Sequence, residues 1–195
     1  ETLFYKNKDG FPMYLHEGYG EDYASIFKNN KNIKQSPQMT HVFFQSSEDD
    51  NVSTHFSILN ALLTEVMNYF KLEHIDLVRA KANLLFQLQN NQKSTHTTPH
   101  IDFFREHLVC IYYINDSDGD THFFEEVPMP SWLSLSKGYF DSKFKKVLAE
   151  NEFKITKSIS PKKGRFLFFK GNIMHANGNP IYNDTRMVMN IDFNI

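Results

Sequence analysis

The sequence predicts a jelly roll of antiparallel strands beneath a helical cover, and three observations point to it. Apolar residues recur every three to four positions over one segment. They alternate with a period of two over several later segments, and Pro, Gly, Asn and Asp clusters separate those segments. Residues 1–50 carry weak signals, namely turn chemistry at Lys8-Asp9-Gly10 and an Asn/Lys-rich stretch from Lys28 to Lys34 that reads as a loop. From Ser53 the residues Phe56, Leu59, Leu62, Leu63, Val66, Met67 and Phe70 form the stripe of an amphipathic helix near 53–70. Such a stripe needs something flat to cover.

Over "RAKANLLFQLQ" the period drops to two. Ala80, Ala82, Leu84, Phe86 and Leu88 share one face, with Arg79, Lys81, Asn83, Leu85 and Gln87 on the other. "HLVCIYYIN", "KITKSIS", "RFLFFK" and "RMVMNIDFNI" read as further strands. In the last, Met187, Met189, Ile191 and Phe193 alternate with Arg186, Val188, Asn190 and Asp192. A methionine face lying under the helix would turn Arg186 into the sandwich, where an unpaired guanidinium is strongly unfavourable and demands an anion. Asp184 or Asp192 would serve as a structural partner, as would solvent at a strand end.

Composition narrows the function classes. A chain of 195 residues suits one domain with a sizeable core, here read as residues 1–195. With 41% apolar residues, 19 Phe and 9 Tyr it is globular, and a formal net charge of -2 supplies no global attraction to nucleic acid or an anionic membrane. Apolar runs such as Phe166–Phe169 are strand-length, so no membrane span is expected, and no targeting segment is evident. Cys110 is the sole cysteine; an internal disulfide and a cysteine-rich zinc site are therefore excluded, and a reducing cytoplasm is expected.

The histidines carry the chemistry. His96 and His100 are four apart, but Pro99 disfavours the helix that would make them a ligand pair. His100 and Asp102 have strand spacing, which turns both side chains to one face. His175 follows "RFLFFK" through the turn "GNIM", at a strand end where a third ligand could meet the first two. Two histidines and a carboxylate on one face of an octahedral ion form the facial triad of non-haem Fe(II) oxygenases; a zinc hydrolase would use similar ligands and leave one position open. A bidentate organic co-substrate separates the two chemistries. Arg186 lies beyond the turn "NGNPIYND", and a returning antiparallel strand would set its planar fork near the metal, matched to the far carboxylate of 2-oxoglutarate.

These pieces, in this order, resemble the Fe(II)/2-oxoglutarate-dependent dioxygenases, in particular the prolyl-4-hydroxylase-like branch and its small phage-encoded members. The carriers are "HID", "MHANGNP" and "TRMVMN", with "CIYYIND", "SDGDTHFF" and "ISPKKGRFLFF" between them, so the similarity covers about residues 79–195. Residues 1–78 then read as N-terminal support and 79–195 as the catalytic core. Asp120 departs from the family's Gly-Gly-x-Thr-x-Phe turn, and a stretch from Glu126 to Asn151 intervenes before "ISPKKG".

The resemblance implies a double-stranded β-helix, an Fe(II) held by His100, Asp102 and His175, and 2-oxoglutarate and O2 as co-substrates. It implies that Tyr113 and Arg186 bind the C5 carboxylate, with Asn83 and Asn190 as further contacts. It also implies hydroxylation with release of succinate and CO2. The Asp102 carboxylate favours hydroxylation over halogenation, since halogenating relatives carry a small residue there. A prolyl, peptide or small-molecule substrate is expected. An AlkB-type nucleic-acid demethylase ranks lower, because Asp192 stands where that type carries a second arginine. A non-catalytic cupin-like module would not need Arg186 and Tyr113 together. The segment Glu126–Asn151, with Trp132, Leu133, Leu135, Tyr139 and Phe140, is expected to cover the site and help select the substrate.

Overall fold

The helical stripe and the alternating strands organise two antiparallel sheets. The computed structural model describes residues 12–16, 33, 36–46, 51–88, 95–103, 105–125 and 153–194. The Lys8–Gly10 turn and, apart from Ile33, the 28–34 loop lie outside them.

The apolar stripe after Ser53 opens as a 3-10 turn, Phe56–Leu59, and continues as helix α1, Asn60–Phe70. No side chain caps the α1 N-terminus, and the preceding 3-10 turn supplies the entry instead. The helix ends where Lys71 takes a left-handed conformation (φ 57°) and the Leu72 N–H donates back to the Met67 carbonyl.

The strands are β1 (Tyr14–His16), β2 (Gln38–Gln45), β3 (Asn51–Val52), β4 (Asp76–Phe86), β5 (Leu108–Tyr113), β6 (Thr121–Phe124), β7 (Ile155–Ile159), β8 (Phe166–Lys170), β9 (His175–Asn177) and β10 (Thr185–Asn194). The larger sheet runs β1-β2-β4-β10-β5-β8, with β3 beside β2, and the smaller runs β7-β6-β9. Every pairing in them is antiparallel. The described residues thus form the jelly roll that the alternation predicts. Five strands have no counterpart in the sequence pattern: β1, β3 and β9 are only two or three residues long, too short to show a period, and β2 and β6 are hidden for other reasons. β2 has a register irregularity between Val42 and Phe44 that breaks its period, and β6 is buried on both faces, so it has no polar side to alternate with.

The larger sheet is apolar on one side and mixed on the other. Its outer face places Phe43, Ala80, Ala82, Cys110, Met189, Ile191 and Phe193 against Leu59, Leu63 and Val66 from the helical segment. Each large aliphatic or aromatic side chain enclosed there contributes about 1.5–3 kcal/mol. Its inner face joins Val109, Ile111, Tyr113 and Val188 to Phe123 and Phe169. The methionine face of β10 therefore lies under α1, and Arg186, Asn190 and Asp192 turn inward beside Val188. No helix among the described residues is long and apolar enough to cross a membrane.

Candidate metal centre

The chain enters the site through a bridge rather than a strand. His100 pairs with His175 in an isolated antiparallel bridge, and Asp102 sits in the bend that follows. The strand spacing expected of His100 and Asp102 is therefore not carried by a regular strand; Pro99 limits pairing here, and the single bridge sets the first ligand. The His100 N–H donates to the His175 carbonyl at 2.8 Å and the His175 N–H to the His100 carbonyl at 2.9 Å. This exchange ties the two histidine backbones together.

Their side chains are set in the same way. His100 Nδ1 lies 2.9 Å from the Thr98 carbonyl and His175 Nδ1 lies 3.0 Å from that of Ile173. A carbonyl only accepts, so each Nδ1 carries the proton and each Nε2 presents a lone pair. His175 Nε2 is 3.3 Å from Asp102 Oδ2, an oxygen with no hydrogen bond. One ligand atom from each of His100, Asp102 and His175 falls within 4.8 Å of the others. Two imidazole lone pairs and a buried carboxylate oxygen gathered this closely fit a divalent cation.

Electrostatics hold the donors in their binding forms. Burial, reinforced by neighbouring His175, pushes the His100 pKa down to about 3, so its imidazole is neutral near pH 7. Burial alone would raise the Asp102 pKa, but His175 and the Arg79 guanidinium together hold it well below the usual carboxylate range. Arg79 of β4 donates to Asp102 Oδ1 and, at 2.7 Å, to Asp192 Oδ2 of β10. Asp102, His107 and Asp192 also come within 4.8 Å. Arg79 already supplies the cation between those two carboxylates, so this second group needs no ion.

Arg186 is fully buried, and its fork reaches the smaller sheet. Nε donates to the Gly119 carbonyl and Nη2 to Thr121 Oγ1, both at 2.8 Å, while Nη1 has no partner. A Cβ on Gly119 would stand 2.5 Å from the Gly178 carbonyl and 3.1 Å from Arg186 Cδ, so only glycine fits beneath the guanidinium. The Tyr113 hydroxyl lies 2.6 Å from Thr121 Oγ1, and its ring centroid 5.7 Å from the guanidinium. Asn83 and Asn190 both face inward. Asn83 Oδ1 accepts from Thr40 at 3.1 Å, whereas the Oδ1 of Asn190 has no partner. A cavity of about 970 Å³ opens nearby, lined by Ile101, Phe123, Phe169 and Met174 among others. The expected cover, 126–151, lies outside the described residues.

No family model matches the chain, and no curated protein matches it in sequence. Solved structures share its fold. An oxidoreductase of the 2OG-Fe(II) oxygenase family from Burkholderia pseudomallei matches with a TM-score of 0.58 at 10% identity, over 94% of this chain and 73% of that one. The non-haem α-ketoglutarate-dependent epimerase SnoN from nogalamycin biosynthesis matches with a TM-score of 0.51 at 11% identity, over 88% and 70%. AviO1 from Streptomyces viridochromogenes matches with a TM-score of 0.51 at 11% identity, over 100% and 78%. The chain is therefore similar in architecture to 2-oxoglutarate oxygenase structures.

Three site residues are not evident from sequence. Thr121 stands inside "SDGDTHFF" and joins Tyr113 to Arg186. Arg79 and Lys81 share the strand face of Asn83, and that face is the inner one. Their alternation with Asn83 is the available signal; their charge suggests solvent.

Proposed function

We infer that the protein is an Fe(II)/2-oxoglutarate-dependent dioxygenase that hydroxylates a C–H bond of a prolyl, peptide or small-molecule substrate. The carrying observation is the unfilled Nη1 of fully buried Arg186, inside the same sandwich as three convergent metal donors. A buried guanidinium with an open donor calls for a carboxylate. A storage module binding metal alone has no use for it.

His100 and His175 would hold Fe(II) through Nε2, and Asp102 through Oδ2, leaving Oδ1 to Arg79. Arg186 would grip the C5 carboxylate of 2-oxoglutarate, with Tyr113 and Thr121 completing the contact and Asn83 and Asn190 beside it. When bound, the metal with O2 and 2-oxoglutarate supplies the oxidising chemistry: CO2 is lost, one oxygen atom enters succinate and the other the substrate C–H bond. Phe123 and Phe169 line the apolar side of the site and exclude water from it. The ordered motifs "HID", "MHANGNP" and "TRMVMN" favour the prolyl-4-hydroxylase-like branch, and a cover by residues 126–151 would help choose the substrate.

Succinate formation from 2-oxoglutarate under Fe(II) and air tests the reading across peptides, amino acids and modified nucleic acids. Fe(II)-dependent succinate that disappears in His175→Ala is expected. Retained Fe(II)-dependent turnover in that variant would refute the assignment.

A further inference from the structure

The three metal donors are not held in the same way. His100 and His175 are each fixed twice: their backbones exchange hydrogen bonds across the bridge, and each ring donates from Nδ1 to the carbonyl two residues before it. Asp102 lies past that bridge, in a bend that belongs to no strand. Arg79 holds its carboxylate instead, with Nη2 donating to Oδ1.

Arg79 is itself placed by the sheet. It stands opposite Asp192 on the β4–β10 ladder, and its Nε donates to Asp192 Oδ2 at 2.7 Å. Its Cζ lies 4.6 Å from the Phe103 ring centroid, so the residue after Asp102 covers the face of the guanidinium. A planar fork with one donor given to Asp192 and a ring against its face has little freedom left. Its Nη2 draws Asp102 Oδ1 towards β4, while Oδ2 stays 3.3 Å from His175 Nε2.

We propose that Arg79, oriented by Asp192 and Phe103, is a positioning residue that keeps Asp102 a one-oxygen ligand and so sets how many positions on the ion stay open. This rests on the Fe(II)/2-oxoglutarate reading. An octahedral ion that takes one atom from each of His100, Asp102 and His175 keeps three positions open, two for the chelating end of 2-oxoglutarate and one for O2. A carboxylate released from Arg79 is left with a buried oxygen that has no donor, and turning that oxygen onto the ion satisfies it. Asp102 then occupies two positions, and none is left beside bound 2-oxoglutarate. The clamp therefore acts on access to the ion rather than on whether the ion binds.

Mn(II) in place of Fe(II) tests this in anaerobic protein, because the waters on the ion can be counted: water enriched in the magnetic oxygen isotope broadens the Mn(II) EPR lines in proportion to the number bound. Three waters are expected in the wild type, falling to one when 2-oxoglutarate is added. In Arg79→Met two are expected, falling to none. The double variant Arg79→Met/Asp192→Asn leaves no buried carboxylate without a cation once the ion is bound, so it serves where the single variant fails to fold, with the same counts expected. Two waters in the wild type, or three in either variant, would overturn the proposal. Mn(II) binding is measured first: an ion that does not bind the wild type, or that still binds His175→Ala, would remove the Fe(II)/2-oxoglutarate reading and this inference with it. An ion that binds as expected and keeps three waters in Arg79→Met would leave that reading standing and overturn the clamp alone.

Discussion

Replacing Arg186 by Met removes the guanidinium and keeps an apolar chain of similar reach. The side chain is fully buried and gives two of its donors to Gly119 and Thr121, leaving Nη1 for a ligand. A hydrogen bond to a charged group contributes about 1.5–3 kcal/mol, so one lost contact to the C5 carboxylate weakens 2-oxoglutarate binding roughly ten- to 150-fold. The donors lost to Gly119 and Thr121 act on the fold instead, at about 1–3 kcal/mol for each buried group left unsatisfied. Isothermal titration separates the two effects. Mn(II) should bind the variant as it binds the wild type, because Arg186 touches none of His100, Asp102 or His175, while the 2-oxoglutarate dissociation constant should rise by that factor. An unchanged 2-oxoglutarate dissociation constant in folded protein would show that Arg186 does not hold the C5 carboxylate.

Three further outcomes are expected. Arg79→Met leaves Asp102 and Asp192 facing each other without their shared cation, and breaking a buried pair costs about 3–5 kcal/mol; denaturant unfolding should show a smaller loss with Mn(II) than without, and equal losses would contradict it. Gly171→Ala would set a Cβ 1.8 Å from His107 Nε2, and this overpacking should destabilise the fold by about 1–3 kcal/mol, whereas unchanged unfolding would contradict the contact. Burial, helped by His96, lowers the His122 pKa to about 4, so the unfolded chain takes up its proton first and stability falls as pH drops from about 6.5 towards 4. His122→Asn should lessen that loss in melts at pH 7 and pH 5; a variant with the same pH dependence as the wild type would contradict it.

The parts of the fold legible in sequence are those where one rule acts alone. The stripe from Phe56 to Phe70 and the alternation in β10 are such cases, and the alternation turns Arg186 inward once the methionine face is set under the helix. β6 is opaque because "THFF" is buried on both faces, and β2 because its irregularity at Val42 and Phe44 shifts the period. His100, Asp102 and His175 stand out by residue type and spacing, although Asp102 sits in a bend and not on a strand. Arg79 and Lys81 are hidden for a physical reason. A charged residue in an alternating strand ordinarily faces water, and only the partners at Asp102 and Asp192 reveal that this face is enclosed.

The most direct test of the site is a paired titration of anaerobic protein with Mn(II) and then with 2-oxoglutarate. One ion per chain is expected in the wild type, no ion held in His175→Ala, and 2-oxoglutarate binding that tightens once the metal is present. Metal binding that survives loss of His175, or 2-oxoglutarate binding that ignores the metal, would contradict the proposed function.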